Sequence, residues 1–225
     1  MLFNLSNFTN PQYIVQLVLT IPIVLFSLSF HEASHAYAAH KMGDDTAKNL
    51  GRLTLNPLKH LDPIGALAML FFGIGWAKPV PIMTRNFEHP KRGMILSAAA
   101  GPASNLVLSV IGVLLYVPFA WFIGRSNAFT SAVCTFLYLF HYMNLALAIF
   151  NLIPVPPLDG SRVLFGFLPD RLYFGIMKYE QYIKIGFIAL ILIMHNFLHF
   201  SIISFVCEPM SDGMIWLITR IPIFR

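Results

Sequence analysis

Charge is what this sequence has least of. Asp, Glu, Lys and Arg together make up 11% of its 225 residues, against about 25% in soluble globular proteins. That deficit excludes a fold that meets water over most of its surface. Cysteine is scarce as well: Cys134 and Cys207 form no CxxC pair, so they read as structural thiols and leave the redox compartment open. The N-terminal stretch has no basic n-region and its apolar run continues without a break, so no cleaved signal peptide is expected. Internal repeats and low-complexity stretches are missing too. What fills the space is hydrophobic: 57% of residues are apolar and the mean hydropathy is +0.69. Such a composition belongs to a polytopic membrane protein.

A helix needs roughly 20 apolar residues to cross a bilayer. Four stretches qualify, about 12–41, 93–123, 127–153 and 182–206, which predicts an all-α polytopic membrane protein with one domain over 1–225. The apolar stretch 65–75 is too short to cross. Together with the Pro-rich residues that follow, it predicts a re-entrant or extended segment over 65–81. Residues 213–224 are likewise too short, and Trp216 with Arg220 suits a C-terminal interfacial helix. Eight of the 15 Lys and Arg fall between 41 and 92, at the end of the first span and in the loop that follows it, and Arg162, Arg171, Lys178 and Lys184 lie between the third and fourth. Only Arg125, Arg220 and Arg225 fall on the opposite side. This bias puts loop 42–92 in the cytoplasm and the N-terminus outside, and it explains the net charge of +5 without any nucleic-acid partner. Small size and the lack of targeting signals suit a prokaryotic plasma membrane.

Inside the first span lies His31-Glu32-Ala33-Ser34-His35. Imidazoles four residues apart project from one helix face, where both can ligate a single zinc ion, and the glutamate beside the first can take a proton from a water activated there. Residues 14–30 carry no charge, so the pattern points to hydrolysis within or at the edge of a bilayer. Two histidines do not complete a catalytic zinc site, which takes three protein ligands and an open position. Ala38 and Lys41 stand where the extended HExxHxxGxxH pattern has its glycine and third histidine. Asp44, Asp45, Asp62 and Glu88 lie in the basic loop and read as solvated ion pairs. Asp159 differs: it follows a long uncharged run and a rigid Pro-rich loop, Asn151-Leu152-Ile153-Pro154-Val155-Pro156-Pro157-Leu158. A carboxylate at membrane depth marks function, and the topology brings it to the level of the two histidines. The alternative is a cap on a helix that starts near Gly160.

Taken together, HExxH in the first span, Gly101-Pro102-Ala103-Ser104-Asn105 in the second and NLIPVPPLDG after the third resemble the site-2 protease family of intramembrane zinc metalloproteases. Gly75-Trp76-Ala77-Lys78-Pro79-Val80-Pro81 resembles that family's membrane-associated segment between the first two spans. The resemblance covers about 12–168. It implies one zinc ion per chain held by His31, His35 and Asp159, with Glu32 as catalytic base, and regulated intramembrane proteolysis of transmembrane protein substrates. By analogy with the family, Pro79, Val80, Pro81, Gly101 and Asn105 are candidates for the surface that receives an unwound substrate. Gly101-Pro102 has a second reading as a simple kink, with Asn105 satisfying the freed backbone. Asn151 either donates to the oxyanion or holds its loop. The relatives' PDZ or CBS domains have no counterpart here.

Other features read as structural: His141, Tyr142 and Asn144 as packing and interhelical glue, His195 and His199 as an interior or headgroup-level pair, and His40, His60 and His89 as solvated groups. The reading from another class is a catalytically silent membrane protein of the same fold that binds single-span partners. The glutamate beside the ligands favours the enzyme. Substrate identity, gating and oligomeric state are not encoded in any readable pattern.

Overall fold

A computed structural model of the chain describes residues 10–62, 65, 77–197 and 201–222. The architecture is all-α, and among the described residues there is no β-strand beyond one isolated antiparallel bridge between Leu61 and Ala77. Among the described residues, three helices are long and apolar enough to cross a membrane: α1 (Pro11–Lys41), α4 (Pro90–Phe122) and α5 (Ala128–Leu152). Short helices α2 (Thr46–Asn49) and α3 (Pro57–His60) lie between the first two, and α6 (Asp159–Gly166), α7 (Asp170–Met177), α8 (Glu180–Phe197) and α9 (Ile202–Thr219) follow the third.

α4 is the hub, packed against α1, α5, α6 and α9. Its sequence explains why. Gly93, Ser97, Gly101, Asn105, Ser109 and Gly112 form a buried stripe of small residues at three- to four-residue spacing, which lets neighbouring backbones approach closely where no hydrophobic force drives helices together. Polarity runs inside out around that stripe. Ser27, Ser29, Asn105, Ser109, His141 and Asn144 are buried, while Val18, Ile21, Val107, Ile111, Leu115 and Trp121 face outward. Hydroxyls stranded in this apolar setting are absorbed by their own helix: Thr20, Ser29 and Ser34 each donate to the carbonyl four residues back.

Helix ends follow local chemistry. His40 and Lys41 close α1 at its negative dipole end, and Gly43 turns the chain at φ +104°. Pro90 starts α4 at a position where no N–H is needed. α5 begins with a reciprocal Asn127–Thr130 capping box and ends before Pro154, whose ring disfavours helix in the residue preceding it. The chain then turns through Pro156 and Pro157 and tucks α6 under the end of α5. A Cβ on Gly160 would strike the carbonyls of Leu152 and Ile153.

Two expected elements take other forms. The stretch expected as one span at 182–206 is divided between α8 and α9, with Ser201 capping α9 through the Ser204 N–H at 3.2 Å. The C-terminal helix expected to lie in the interface from 213 begins instead at Ile202 and docks on the bundle. Met214, Ile215 and Ile218 pack against Val113 and Val117 of α4, and Ser211 reaches His141. Glu208 and Asp212 look like a break in the sequence, but both face outward while Cys207 and Ser211 sit on the buried face. Of the segment expected over 65–81, residues 66–76 lie outside the described residues. Its end is extended: Lys78 N–H donates to the His60 carbonyl at 2.8 Å.

Candidate metal centre

His31 and His35 come one turn apart on α1, both buried, with rings in edge-to-face contact at 4.6 Å. Their Nε2 atoms are 3.0 Å apart, and Asp159 Oδ2 lies 3.1 Å from one and 3.2 Å from the other. Asp159 is the first residue of α6, whose cap position is held by Leu158, and its carboxylate pairs with His31 and His35. The capping alternative therefore loses its geometry, and the carboxylate is free to turn toward α1.

The opposite face of each imidazole is committed. His35 Nδ1 lies 2.6 Å from the Ser97 carbonyl, and His31 Nδ1 lies 2.6 Å from Asn105 Oδ1. Carbonyl and amide oxygens only accept, so each Nδ1 donates, and the Nε2 atoms of both rings turn toward one another and the Asp159 carboxylate. Two imidazole nitrogens and a carboxylate oxygen within 3.2 Å of one another are three donor atoms placed to share one cation. Ligands about 2.0–2.1 Å from a tetrahedral zinc stand roughly 3.3–3.4 Å apart, close to the spacing here. The donor set fits zinc. Among the described residues, no other group of three His, Cys, Asp or Glu is gathered this way.

Gly101 explains how α4 comes so near. A Cβ there would collide with both rings, within 2.7 Å of His31 Cε1. Glu32 is buried at 9% exposure, and its Oε2 accepts the Val80 N–H at 2.9 Å. Pro79 and Pro81 have no N–H, so Val80 offers the one backbone donor of that triplet. The strap from Ala77 to Met83 is held at other points too. The Arg52 guanidinium donates to the carbonyls of Lys78 and Pro79, and the Met83 N–H donates to Asp44.

The remaining expected site residues lie at varied distances from this centre. Asn151 donates its amide to the Leu147 carbonyl of its own helix at 3.0 Å. Asn105 is 0% exposed, with its polar atoms directed to His31, Asn144 and Ser27, so it stands behind the ligands rather than on an open wall. His199 lies outside the described residues, as does the side chain of His195. Two loop residues expected in water are buried: His60 at 2% exposure, bonded to the Thr54 carbonyl, and Asp44 at 0%. The loop folds back on itself around the strap, and these groups are its internal hydrogen-bonding partners. Asn144, read as interhelical glue, does bond across helices to Asn105 at 2.9 Å, whereas Ser97 was legible only as a member of an apolar helix. The stripe of small residues four apart on α4 is the signal that marks Ser97 and Asn105 as facing a neighbour.

Comparison with known proteins decides the family. The profile of "Peptidase family M50" matches residues 117–195. A Bacillus subtilis protein named "Putative zinc metalloprotease YwhC" is 43% identical over 175 residues, covering 77% of this chain and 78% of that protein. The chain belongs to peptidase family M50, the site-2 proteases. "Zinc metalloprotease MJ0392" of Methanocaldococcus jannaschii is 32% identical over 184 residues, 80% of this chain and 44% of that longer protein. "Putative zinc metalloprotease Rip2" of Mycolicibacterium smegmatis is 33% identical over 157 residues, 68% of this chain and 58% of its own length. No solved structure matches the chain. As an M50 protein with three membrane-length helices, the chain is an integral membrane zinc metalloprotease, and zinc is its cofactor.

Proposed function

We propose that this M50 protease hydrolyses peptide bonds within or near transmembrane segments of other membrane proteins, with His31, His35 and Asp159 as zinc ligands and Glu32 as general base. The observation that carries the reading is the position of the donor set. Three metal-facing atoms converge on an apolar helix long enough to cross a membrane, with a buried carboxylate at the adjacent position. Zinc, when bound, supplies a Lewis acid that activates water and polarises the scissile carbonyl. The chain supplies the rest. Val80 N–H fixes Glu32 through Oε2, leaving the other carboxylate oxygen to receive a proton and return it to the leaving amine. The Ser97 carbonyl and Asn105 keep both imidazoles in the tautomer that ligates.

A helical substrate hides its peptide bonds in its own hydrogen-bond ladder and has to unwind before cleavage. The strap from Ala77 to Met83, which pairs with Leu61 through Ala77, supports a reading in which the unwound segment lies extended alongside it. The excess of Lys and Arg in loop 42–92 supports a cytoplasmic site and an external N-terminus, and the bacterial and archaeal relatives support a prokaryotic plasma membrane.

The deciding experiment reconstitutes the full chain in proteoliposomes with a set of labelled single-span substrates. Wild type is expected to cut at least one of them within its span. Glu32→Gln is expected to keep about one zinc per chain while the rate falls about 10²–10⁴-fold, the range for losing a general base. Unchanged cleavage by Glu32→Gln would overturn the base assignment. Cleavage only of soluble peptides would overturn the intramembrane reading.

A further inference from the structure

Behind His31 runs a buried chain of hydrogen bonds with a fixed direction. It starts at the Phe140 carbonyl on α5, which accepts the Asn144 side-chain NH₂ at 2.8 Å. That bond turns Asn144 Oδ1 toward α4, where it accepts from Asn105 Nδ2 at 2.9 Å. Asn105 Oδ1 is thereby turned toward α1 and accepts from His31 Nδ1 at 2.6 Å. Both asparagines are 0% exposed.

An asparagine by itself cannot define a tautomer. Its amide presents an acceptor or, flipped by 180°, a donor of nearly the same shape. With Asn105 flipped, His31 Nδ1 would have to accept, the proton would move to Nε2, and the ring would lose the lone pair that faces Asp159 and His35. The Ser27 carbonyl, 3.4 Å from Asn105 Nδ2, is a weak second acceptor. Asn144 is the close one, and its own orientation is dictated by a backbone carbonyl that only accepts. We propose that Asn144 and Asn105 act as a two-amide relay that sets the tautomer and aim of zinc ligand His31, with Asn144 a positioning residue that acts through Asn105. His35 obtains the same tautomer in one step, from the Ser97 carbonyl. The inference rests on zinc binding by His31, His35 and Asp159, and it does not depend on which bond the enzyme cuts.

The test is zinc affinity of the detergent-purified full chain, measured by competition with a chromophoric chelator, with thermal melting alongside. Asn105→Leu is expected to weaken zinc about 10–100-fold and Asn144→Leu about tenfold, the range for outer-shell partners. Asn105→Asp sharpens the test, because a carboxylate accepts through either oxygen and has no orientation to be specified. This variant is expected to bind zinc nearly as wild type does, and adding Asn144→Leu to it should change nothing. A general packing role for Asn144 would instead weaken zinc equally in both backgrounds, and that result overturns the relay. So does wild-type affinity in Asn144→Leu. Should Asn105→Asp fail to fold, the Asn105→Leu/Asn144→Leu pair replaces it. The relay requires the double variant to bind zinc as Asn105→Leu does, and a further drop overturns it. A chain that shows the relay pattern yet cleaves no membrane substrate would sink the protease reading and leave this inference standing.

Discussion

His31 and His141 are both buried histidines on membrane-length helices, and both present Nδ1 to the stripe of small residues on α4. Their Nε2 atoms meet opposite company. His141 Nδ1 donates to the Ser109 carbonyl at 3.0 Å, and its Nε2 accepts from the Ser211 hydroxyl at 3.0 Å, so the ring is satisfied on both edges and ties α9 to the core. His31 Nε2 faces His35 Nε2 and Asp159 Oδ2, two further atoms able to ligate a metal. A ligand histidine is therefore told from a structural one by the group opposite its second nitrogen. Burial does not separate them. Two carboxylates divide in the same way: Asp159 turns toward the two imidazoles, whereas the buried Asp44 is surrounded by donors.

The largest effect that would break this comparison is on metal content. Asp159→Ala is expected to drop zinc from about one per chain to near zero, because two histidines leave a catalytic site one ligand short. His141→Ala is expected to leave zinc at about one. Elemental analysis of the two purified variants tests both, and zinc lost in both would erase the distinction. Next comes the paired glycine test on α4. Gly101 abuts the two imidazole rings, whereas Gly112 abuts the His141 backbone, with Cα 2.9 Å from a built Cβ. Gly101→Ala is expected to weaken zinc roughly tenfold by displacing the ligands. Gly112→Ala should leave zinc alone and destabilise by about 1–3 kcal/mol through overpacking, read in thermal melts. A third contrast sharpens the structural side. His141→Leu strands the hydroxyls of Ser109 and Ser211 and is expected to cost about 1–3 kcal/mol, with cleavage of any substrate per folded molecule unchanged.

How far such distinctions can be read before a structure exists depends on range. Apolar run length foretold α1, α4 and α5 to within a few residues, because a bilayer requires both length and apolarity. It failed at 182–206, where the run continues past a helix start that Ser201 creates through one local bond. HExxH spacing is local on one helix, so His31, Glu32 and His35 were legible at once, and Asp159 stood out as a carboxylate after a long uncharged stretch. Partners across helices were not legible. Nothing in the sequence of α5 says that Asn144 meets Asn105, or that His141 meets Ser211, because contact across the bundle depends on rotation about each helix axis. The basic loop misled for a related reason. Asp44, Arg52 and His60 have the composition of solvated groups, yet each bonds backbone of the same loop and is buried by it.

The smallest expected effect concerns the donor-saturated carboxylate. Burial by itself pushes the Asp44 carboxyl up, but bonds from the Thr46 hydroxyl, the Asn86 amide and the backbone N–H groups of Met83 and Thr46 outweigh it and hold the group below its ordinary value of 3.8. A carboxylate lowered on folding stabilises the protein above its unfolded value, and that contribution is lost as pH falls through the lower folded value. Asp44→Asn keeps the volume and one acceptor but turns an NH₂ toward other donors, so it is expected to cost about 1 kcal/mol at pH 7. The difference in melting temperature from wild type should hold at pH 5 and shrink only below about pH 4. Zinc content should not move in this variant, since Asp44 anchors the strap at Met83 while Val80 reaches Glu32 three residues earlier. If Asp44→Asn instead released zinc, the strap would be part of the metal centre, and the two carboxylates would not be separable by the polarity of their neighbours.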